Sequence, residues 1–302
     1  MSLRALKKPA AVDKRLKCLF YGTAGSGKTT AAIQFPQPVL VDTEGGAEND
    51  QYVKLLDAAG GAYLGPRDGA MDYDVLLKLV TDLLSQKHEY RTLVIDPLTV
   101  LYNEMVDRSA EKEGTEFGRH KVEPDRKIKR LLLMLTRLDM NVIITSHAKP
   151  QWVRAKDAKG KDTAVQEGNT FDCYGRLDYL FDLVIEVGKR GRERIGTVKK
   201  TRIEAFPEGE VFPFNYGEFA RRYGADRLEK QAAAVELATE AQQAEVKHLV
   251  TLLHIPAETV QKWFDKAGAE AWAEMPAEAT SKCIEFLKSQ ISLSAANAAS
   301  KE

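Results

Sequence analysis

The sequence predicts an α/β core, in which helices cover both faces of a mostly parallel sheet, followed by a small all-helical domain. Two observations lead to this fold class. Up to about Tyr223, short apolar and β-branched runs alternate with segments of helical spacing, which is typical of buried parallel strands joined by helices. Beyond Glu229 the chain is rich in Ala, Gln and Glu, and each segment has helical spacing. The predicted core strands are residues 16–21, 39–42, 92–96, 142–146 and 183–187.

Helices and a final strand pair complete the predicted core. Apolar positions recur with helical spacing in four segments, and two strand-like runs follow the fifth strand. The predicted helices are residues 28–35, 72–86, 98–113 and 125–139, and the strand pair is 195–201 with 210–214. The predicted organisation is an N-terminal tail (1–14), the core (15–228), a linker (229–243), the helical domain (244–290) and a disordered tail (291–302).

Proline and glycine mark the helices of the small domain. Pro256 and Pro276 stand where helices begin, and Gly268 stands where one ends. Three short helices would then bury one apolar cluster, whose predicted members are Leu249, Leu252, Leu253, Val260, Trp263, Phe264, Ile284 and Leu287.

Composition excludes several classes of protein. The 302 residues include 44 basic and 44 acidic side chains, which argues against a histone-like polycation, and 44% apolar content argues against disorder throughout. Residues 229–302 carry 7 basic and 11 acidic side chains, so the net charge is −4 there and +4 in residues 1–228. A polyanionic partner should therefore prefer the first part of the chain. No apolar run is long enough to cross a bilayer, which predicts a cytoplasmic location and no membrane partner.

A phosphate-binding loop follows the first strand. Residues 22–29 read GTAGSGKT, which satisfies the pattern G-x-x-x-x-G-K-[ST] between a strand and a helix. The glycines let the backbone wrap around phosphate, Lys28 should reach the β- and γ-phosphates, and the Thr29 hydroxyl should ligate Mg²⁺. The alternative is an ordinary glycine-rich turn. The residues expected to bind ATP are Gly22, Thr23, Ala24, Gly25, Ser26, Gly27, Lys28, Thr29 and Thr30.

Two carboxylates stand at the ends of neighbouring strands. Asp96 ends the strand 92–96 and is predicted to hold Mg²⁺ with Thr29; the alternative is an Asp that caps the helix after Pro97. In AAA+ machines the residue directly after this Asp is a Glu that orients the attacking water. In this sequence Pro97 follows Asp96, so the water-orienting base is not expected there. The other position for such a base is the end of the adjacent strand, where the chain has Glu44.

At Asp42-Thr43-Glu44-Gly45 the sequence resembles the RecA-type recombinase ATPases, whose catalytic glutamate ends a strand in a similar D-T-E-G run. The resemblance implies a RecA-like P-loop NTPase core. It makes Glu44 the catalytic carboxylate, although an exposed loop acid is the alternative. It also aligns His147, in Ile144-Thr145-Ser146-His147, with a γ-phosphate sensor that is commonly Gln in the family. An imidazole can donate one hydrogen bond, as that role requires.

Lys200 and Arg202, in the run VKKTRI, are similar to the K-x-K or K-x-R strand with which such ATPases reach across a subunit boundary to the neighbour's nucleotide. They alternate onto one face of a strand, as two cations on one phosphate require. The alternative is a solvated edge strand. The catalytic residues implied by the resemblance are therefore Lys28, Glu44, His147, Lys200 and Arg202.

The resemblance extends over about residues 15–223 and is narrower than the whole superfamily. The compact core, Phe35-Pro36 before the second strand and the T-S-H sensor look like the shortened RecA-like proteins of bacteriophages, which are tied to single-strand annealing and recombination. The helical domain resembles a module appended to several phage recombination proteins. The resemblance implies ATP and Mg²⁺ as cofactors and single-stranded DNA as a partner. It also implies a homo-oligomer with ATP between subunits, a single-strand DNA-binding protein as a further candidate partner, and the host cytoplasm as the location.

The segment after the sensor is the predicted DNA-binding region. Residues 147–173 are too long and polar for a plain connection, and such loops are usually functional or disordered. An aromatic side chain among cations suits stacking of bases and contact with phosphates. The predicted DNA-binding residues are Lys149, Trp152, Arg154, Lys156, Lys159 and Lys161. The alternative is a solvated loop with an incidental Trp. Residues 113–121, with Arg119, His120 and Lys121, stand where the family's other DNA loop would lie.

Three functions fit these residues. The first is a Mg²⁺-dependent ATPase that binds single-stranded DNA, turns over slowly until DNA stimulates it, and promotes annealing or strand exchange. The second is an ATP-gated binding module that recruits replication partners without needing turnover. The third is a small-molecule kinase, which is disfavoured because no Arg-rich lid accompanies a clear second-substrate pocket.

Overall fold

The computed structural model describes residues 14–48, 50–156 and 162–299, with side chains up to residue 292. The first thirteen residues of the predicted N-terminal tail therefore lie outside the described residues. So do Lys159 and Lys161, two of the predicted DNA-binding residues.

A largely parallel sheet forms the centre of the molecule, and it confirms the predicted fold class. Its strand order is β3-β2-β4-β5-β1-β7-β8-β9, and the strands from β3 to β7 in this order run parallel. β8 is antiparallel to both of its neighbours, β7 and β9, and β6 pairs with β5 off this path. Because β1 lies between β5 and β7, the phosphate-binding loop emerges near the middle of the carboxyl edge. The strands are β1 (Lys17–Gly22), β2 (Pro38–Asp42), β3 (Ala62–Leu64), β4 (Thr92–Asp96), β5 (Asn141–Lys156), β6 (Asp162–Phe171), β7 (Leu183–Arg190), β8 (Glu193–Thr201) and β9 (Val211–Pro213).

Helices bury both faces of the sheet. One apolar cluster joins the sheet to α3, α4 and α5, and a second joins the opposite face to α1, α2 and a group of phenylalanines that includes Phe20, Phe35 and Phe219. The helices are α1 (Lys28–Ala32), α2 (Asp50–Ala58), α3 (Tyr73–Ser85), α4 (Leu98–Glu113), α5 (Val122–Arg137), α6 (Tyr216–Phe219), α7 (Ala225–Glu229), α8 (Glu240–Leu252), α9 (Ala257–Ala267) and α10 (Ala277–Ala299). The predicted strands and helices of the core agree with these bounds to within a few residues, except that β5 continues well past the predicted strand to Lys156.

Three local differences from the sequence prediction have physical reasons. The helix predicted over 28–35 ends at Ala32, because Phe35 turns into the core and Pro36 follows it. The second helix and third strand were not predicted: α2 is polar on most of its surface, and β3 is a three-residue edge strand. Neither segment is long or periodic enough to indicate its structure alone.

The segment after the sensor was predicted to be a long loop, and this was wrong, because it forms an antiparallel hairpin. DNA binding by this segment stays a prediction. β5 continues past the core strand to Lys156, and β6 returns along it from Asp162 to Phe171. The pairing joins Val153 to Val165 and is shifted by a bulge between Pro150 and Trp152. Polar residues occupy most positions because both faces of the outer part of this hairpin are accessible, so the strand pattern of apolar alternation is weak.

The C-terminal helices enclose a separate small core, as predicted. Leu249, Phe264 and Leu287 are buried in it. The prediction was wrong for Leu252, which is 54% exposed, because helical spacing places Val246, Leu249 and Leu253 on the inner face of α8 and Leu252 outside it.

The helix boundaries of this small domain also refine the predicted organisation. α9 begins after Pro256 and ends before Gly268, and α10 begins after Pro276. α8 begins at Glu240, inside the predicted linker, behind a capping box between Thr239 and Gln242. α10 runs to Ala299, through the segment predicted as a disordered tail, and the alanines there favour helix.

The helical domain rests on the basic side of α5. Arg130 contacts the carboxylates of Glu270 and Glu274, and the Arg137 guanidinium donates to the carbonyls of Gly268, at 3.1 Å, and Glu274, at 2.9 Å. Part of the acidic charge of the domain is thus placed against part of the basic charge of the core. None of the helices in the described residues is long and apolar enough to cross a membrane.

Candidate nucleotide site and DNA-binding hairpin

The phosphate-binding loop connects β1 to α1 at the carboxyl edge of the sheet. Gly27, with φ of 99°, holds a left-handed conformation at the start of α1 that a side chain would strain. The Lys28 ammonium folds back over the loop and donates to the carbonyls of Gly22, at 2.9 Å, and Thr23, at 3.0 Å. Burial lowers the pKa of Lys28, while the carboxylates of Asp96 and Glu44 act in the opposite direction. These three charged groups therefore share one electrostatic site.

Asp96 ends β4 beside the loop, at the place predicted for it. The Thr145 hydroxyl and the Thr29 hydroxyl both hydrogen-bond its carboxylate. Burial raises the pKa of Asp96, and these two hydrogen bonds and Lys28 oppose that rise. The two residues predicted to hold Mg²⁺, Thr29 and Asp96, are thus close enough for the hydroxyl to lower the pKa of the carboxyl.

A second buried carboxylate fixes the loop that carries Glu44. Asp42 accepts the backbone N–H groups of Glu44 at 3.1 Å, Gly45 at 2.9 Å and Ala47 at 2.8 Å, and the Tyr63 hydroxyl at 3.3 Å. These contacts saturate the Asp42 oxygens, which makes this side chain a support for the loop rather than a base. Its position was visible in the sequence, but one partner, Tyr63, comes from β3, a strand that the sequence did not indicate.

Glu44 and His147, predicted as base and sensor, contact each other directly. His147 Nε2 lies 2.9 Å from Glu44 Oε1, and both side chains are about half exposed. The His147 backbone N–H donates to the Thr99 hydroxyl at 2.9 Å, and this hydroxyl also lies 2.9 Å from the Ser146 hydroxyl. The imidazole can therefore orient the carboxylate while its own backbone is held by the first turn of α4.

The side chains at this edge fit a magnesium nucleotide. The hydroxyl of Thr29 and the carboxylate of Asp96 are the hard oxygen ligands that Mg²⁺ prefers. Ser26 Oγ is buried without a hydrogen-bond partner among the described residues. A Cβ on Gly22 would lie 2.2 Å from the Val187 carbonyl oxygen, so no larger residue fits at this position of the loop. The oxygen ligands suit the cation, and the unpartnered Ser26 hydroxyl suits a phosphate oxygen.

Lys200 and Arg202 lie at the opposite, amino edge of the sheet. β8 runs antiparallel to β7, which pairs Lys200 with Val184 near the beginning of that strand, and Arg202 follows the end of β8. Lys200 Nζ donates to the carbonyls of Asp178 and Phe181, the latter at 2.7 Å. Arg202 donates to the Tyr179 carbonyl at 2.8 Å. The structure does not bring these two cations to the phosphate-binding loop of their own chain.

Three of the predicted DNA-binding residues share one face of the β5–β6 hairpin. Trp152, Arg154 and Lys156 alternate along β5, and the Trp152 side chain is 63% exposed. Lys149 lies nearer the root of the hairpin, where its Nζ is 3.1 Å from Asp172 Oδ1. β5 continues without interruption from His147 to this face.

The second predicted DNA segment connects α4 to α5 as a short 3-10 helix, Glu116–Lys121. Phe117 stands at its tip with a positive φ of 51° and a side chain that is 99% exposed. Arg119 and Lys121 follow it in the same turn. The segment presents an aromatic ring and cations to solvent.

Sequence reasoning missed two cations that lie against the phosphate-binding loop. Lys189 and Arg194 face each other across the β7–β8 turn, and both approach glycines of the loop. The signal was present, because the strands predicted at 183–187 and 195–201 are joined by the basic run GKRGRER. Because the strand predicted at 183–187 ends at the carboxyl edge, a tight turn at Gly191-Arg192 would keep this basic run at that edge.

Comparison with known proteins places the core in a family. A family profile described as AAA domain (AAA_24) matches residues 14–205. None of the curated proteins compared with the chain matches it significantly. Among solved structures, one described as "Crystal structure of the RadB recombinase" is similar at 18% identity and a TM-score of 0.40, covering 65% of this chain and 84% of that one.

Proposed function

The chain belongs to the AAA domain family, and from this premise we propose that it is a Mg²⁺-dependent ATPase that couples nucleotide turnover to binding of single-stranded DNA. The observation that carries the proposal is the course of β5. The strand passes the nucleotide site at His147 and continues into the hairpin that exposes Trp152. A ligand on the hairpin and a ligand at the loop would therefore act on the same strand.

Each residue of the nucleotide site has a defined task in this proposal. Lys28 binds the β- and γ-phosphate oxygens after leaving the loop carbonyls that it contacts, and Thr29 and Asp96 hold Mg²⁺. Bound Mg²⁺ would supply positive charge that stabilises the negative charge of the phosphates. Glu44 accepts a hydrogen bond from the attacking water and orients it toward phosphorus. His147 holds Glu44 and donates to the γ-phosphate when ATP draws the imidazole away from that carboxylate.

The hairpin supplies a binding surface for single-stranded DNA. Bases would stack on Trp152, and Arg154 and Lys156 on the same face would contact phosphates. Lys149 joins the surface at its root, and the predicted contacts of Lys159 and Lys161 belong to the same proposal. Since sequence-independent contacts of this kind suit any strand, we propose annealing or strand exchange as the biological reaction, in phage recombination or replication.

Assembly is the remaining part of the proposal. Lys200 and Arg202 lie far along the sheet from the loop of their own chain, so a contact with ATP would be with the nucleotide of a neighbouring subunit. In a homo-oligomer this arrangement would place ATP between subunits and let DNA-ordered assembly accelerate hydrolysis. A single-strand DNA-binding protein is a further candidate partner.

Rates of ATP hydrolysis with and without single-stranded oligonucleotide test the function. We expect slow basal turnover that rises at least about tenfold with DNA, because ordering by DNA would complete the site. A double-stranded oligonucleotide of the same length is the control. A rate that stays unchanged with single-stranded DNA would contradict the coupling, and phosphate transfer from ATP to a nucleoside monophosphate would instead indicate a kinase.

Glu44→Gln separates an ATPase from an ATP-gated binding module. The amide cannot orient water as the carboxylate does, so we expect turnover to fall about a hundredfold or more while ATP still binds. Glu48→Gln is the matched control, because Glu48 lies on the same loop and its carboxylate contacts Arg67 at 4.0 Å rather than the site. Annealing that survives without hydrolysis in Glu44→Gln would favour the binding module, which recruits partners without needing turnover.

A further inference from the structure

The turn between β7 and β8 concentrates positive charge at the carboxyl edge. The run Lys189-Arg190-Gly191-Arg192-Glu193-Arg194 contains four cations and one carboxylate. The turn is tight, with Arg190 paired to Glu193 and Gly191 at φ of 60°. Because side chains alternate between the two faces of a strand, this pairing determines the face on which each cation of the turn lies.

Lys189 and Arg194 are directly opposite each other in the antiparallel pair, so their side chains share one face. That face is the one covered by α1. A Cβ placed on Gly27 would lie 2.3 Å from Cδ and Nε of Arg194, and a Cβ placed on Gly25 would lie 3.7 Å from Lys189 Nζ. Both cations therefore lie over the glycines of the phosphate-binding loop.

Such a pair is unfavourable without an anion. Like charges directly opposite each other in a sheet repel. The backbone N–H groups of a phosphate-binding loop add positive potential beneath them. Neither cation forms an ion pair with any residue that the structure describes. The neighbouring cations of the turn are placed differently, because Arg190 alternates with Lys189 onto the other face of β7 and Arg192 lies in the turn itself.

We propose that Lys189 and Arg194 form a cationic clamp that binds the phosphates of the nucleotide in the same subunit as the loop. The inference rests on the proposed ATP site and adds residues that the loop motif does not contain. The Arg194 fork can bind two phosphate oxygens at once, and the Lys189 ammonium adds a compact charge beside them. The clamp supplies binding and charge stabilisation from within one subunit, before any neighbour contributes.

Nucleotide affinity of three alanine variants tests the clamp. Arg194→Ala and Lys189→Ala remove the two members, and Arg192→Ala removes the same charge from the same turn. We expect the dissociation constant for ATP to rise about tenfold or more in the first two variants and less than about twofold in the control. Calorimetric titration with ATP, ADP and inorganic tripolyphosphate would then report how many phosphates the clamp contacts. Tripolyphosphate should follow the same order as ATP.

Thermal unfolding provides a readout that a merely structural role would not produce. Without nucleotide, Arg194→Ala should melt at the wild-type temperature or above it, because a like-charge contact is removed. With saturating ATP it should gain less stabilisation than wild type. A lower melting temperature without nucleotide and an unchanged gain with ATP would make Arg194 structural.

Other outcomes would overturn the clamp in distinguishable ways. If the wild type and all three variants bind ATP with the same affinity, the clamp is excluded and the proposed ATPase is unaffected. Unchanged ATP affinity with weaker oligonucleotide binding in Arg194→Ala would assign the turn to DNA. Wild-type protein that binds no ATP would exclude the nucleotide site itself and the clamp with it.

Discussion

At the amino edge of the sheet, where the parallel strands begin, cations are bound by backbone carbonyls; at the carboxyl edge, cations surround a loop built for an anion. Lys17, at the start of β1, is buried and donates to the carbonyls of Leu135, Leu138 and Met140 at 2.8 to 2.9 Å. Its neighbour Arg15 is equally enclosed. The three donors of the Lys17 ammonium are all used in this way, so the side chain contributes to folding and has no donor left for a ligand.

Arg15 connects the linker to the core by the same means. Its guanidinium contacts Asp139 at 2.7 Å and donates to the carbonyls of Lys230 and Gln231, each at 2.7 Å. At the carboxyl edge, by contrast, Lys189 and Arg194 are exposed beside the loop. Side chains of the same types therefore differ in what they stabilise: the fold at one edge and, in our proposal, the nucleotide at the other.

Replacing Lys28 should give the largest effect and the clearest contrast between the edges. Lys28→Met removes the charge that would contact the transferred phosphoryl group, so we expect ATP hydrolysis to fall about a thousandfold. The melting temperature should change less than in Lys17→Met, because Lys28 donates to only two loop carbonyls. Steady-state phosphate release and thermal unfolding measure the two effects. If Lys28→Met hydrolyses ATP as fast as wild type, the carboxyl edge does not bind the nucleotide through Lys28, and the proposed difference between the edges is contradicted.

Lys17→Met should affect stability rather than binding. The change leaves three carbonyl groups without the donor that now binds them, and we expect the free energy of unfolding to fall by about 2–4 kcal/mol. Lys14→Met, at an exposed position on the same segment, is the matched control. Denaturant titration measures the difference. A loss of ATP affinity without a loss of stability would contradict the assignment of this edge to folding.

The contribution of Lys17 should also depend on pH. Burial lowers the pKa of Lys17 to about 7, against 10.5 in an unfolded chain. Between these values the unfolded state binds more protons than the native state, so stability rises with pH. Relative to Lys17→Met, the wild-type free energy of unfolding should increase from pH 7 toward pH 10 by at most about 1.4 kcal/mol per unit. A difference that is constant over this window would show that Lys17 keeps its proton throughout.

Trp152 lies beyond the carboxyl edge, on the β5–β6 hairpin, and we expect it to affect DNA binding rather than stability. Trp152→Ala should weaken binding of single-stranded DNA about tenfold or more, since stacking of one base on an aromatic ring contributes about 1–3 kcal/mol. Trp152→Phe keeps a stacking surface and should lose much less. Fluorescence anisotropy of a labelled oligonucleotide measures both. Because the side chain is 63% exposed, the melting temperature should not change, and a large fall would assign Trp152 to the fold instead.

The sequence predicted which residues meet at the carboxyl edge better than it predicted the surfaces around them. The loop glycines, Lys28, Asp96 and Glu44 are each fixed by local strand ends, and parallel strands bring their carboxyl ends to one edge whatever the connections do. This rule also placed His147 near Glu44. The 2.9 Å contact between them depends on the rotation of two half-exposed side chains, which no local pattern specifies.

Non-local pairing explains what could not be predicted. The β5–β6 hairpin is held by pairs such as Val153 with Val165, across residues that read as a polar loop. Lys200 alternates with Arg202 in the sequence, but the direction of β8, not the alternation, determines the edge at which they lie. Leu252 was predicted in the small core because it is apolar and follows Leu249 by three residues, but the neighbouring helices cover the side of α8 that carries Val246 and Leu249.

Lys200→Ala should give the smallest effect, and it tests whether Lys200 stabilises the fold at the amino edge or also contacts the nucleotide of a neighbouring subunit. As an anchor, Lys200 binds the carbonyls of Asp178 and Phe181, so Lys200→Ala should lower the free energy of unfolding by about 1–2 kcal/mol. As a cation that reaches a neighbour's nucleotide, it should also lower ATP hydrolysis per folded molecule, and increasingly so at protein concentrations that favour assembly. Lys199→Ala is the control, since that adjacent lysine contacts Glu186 at 3.1 Å. A change in stability alone would preserve the contrast between the edges and exclude the trans contact, whereas a concentration-dependent loss of turnover would show that the amino edge also serves catalysis.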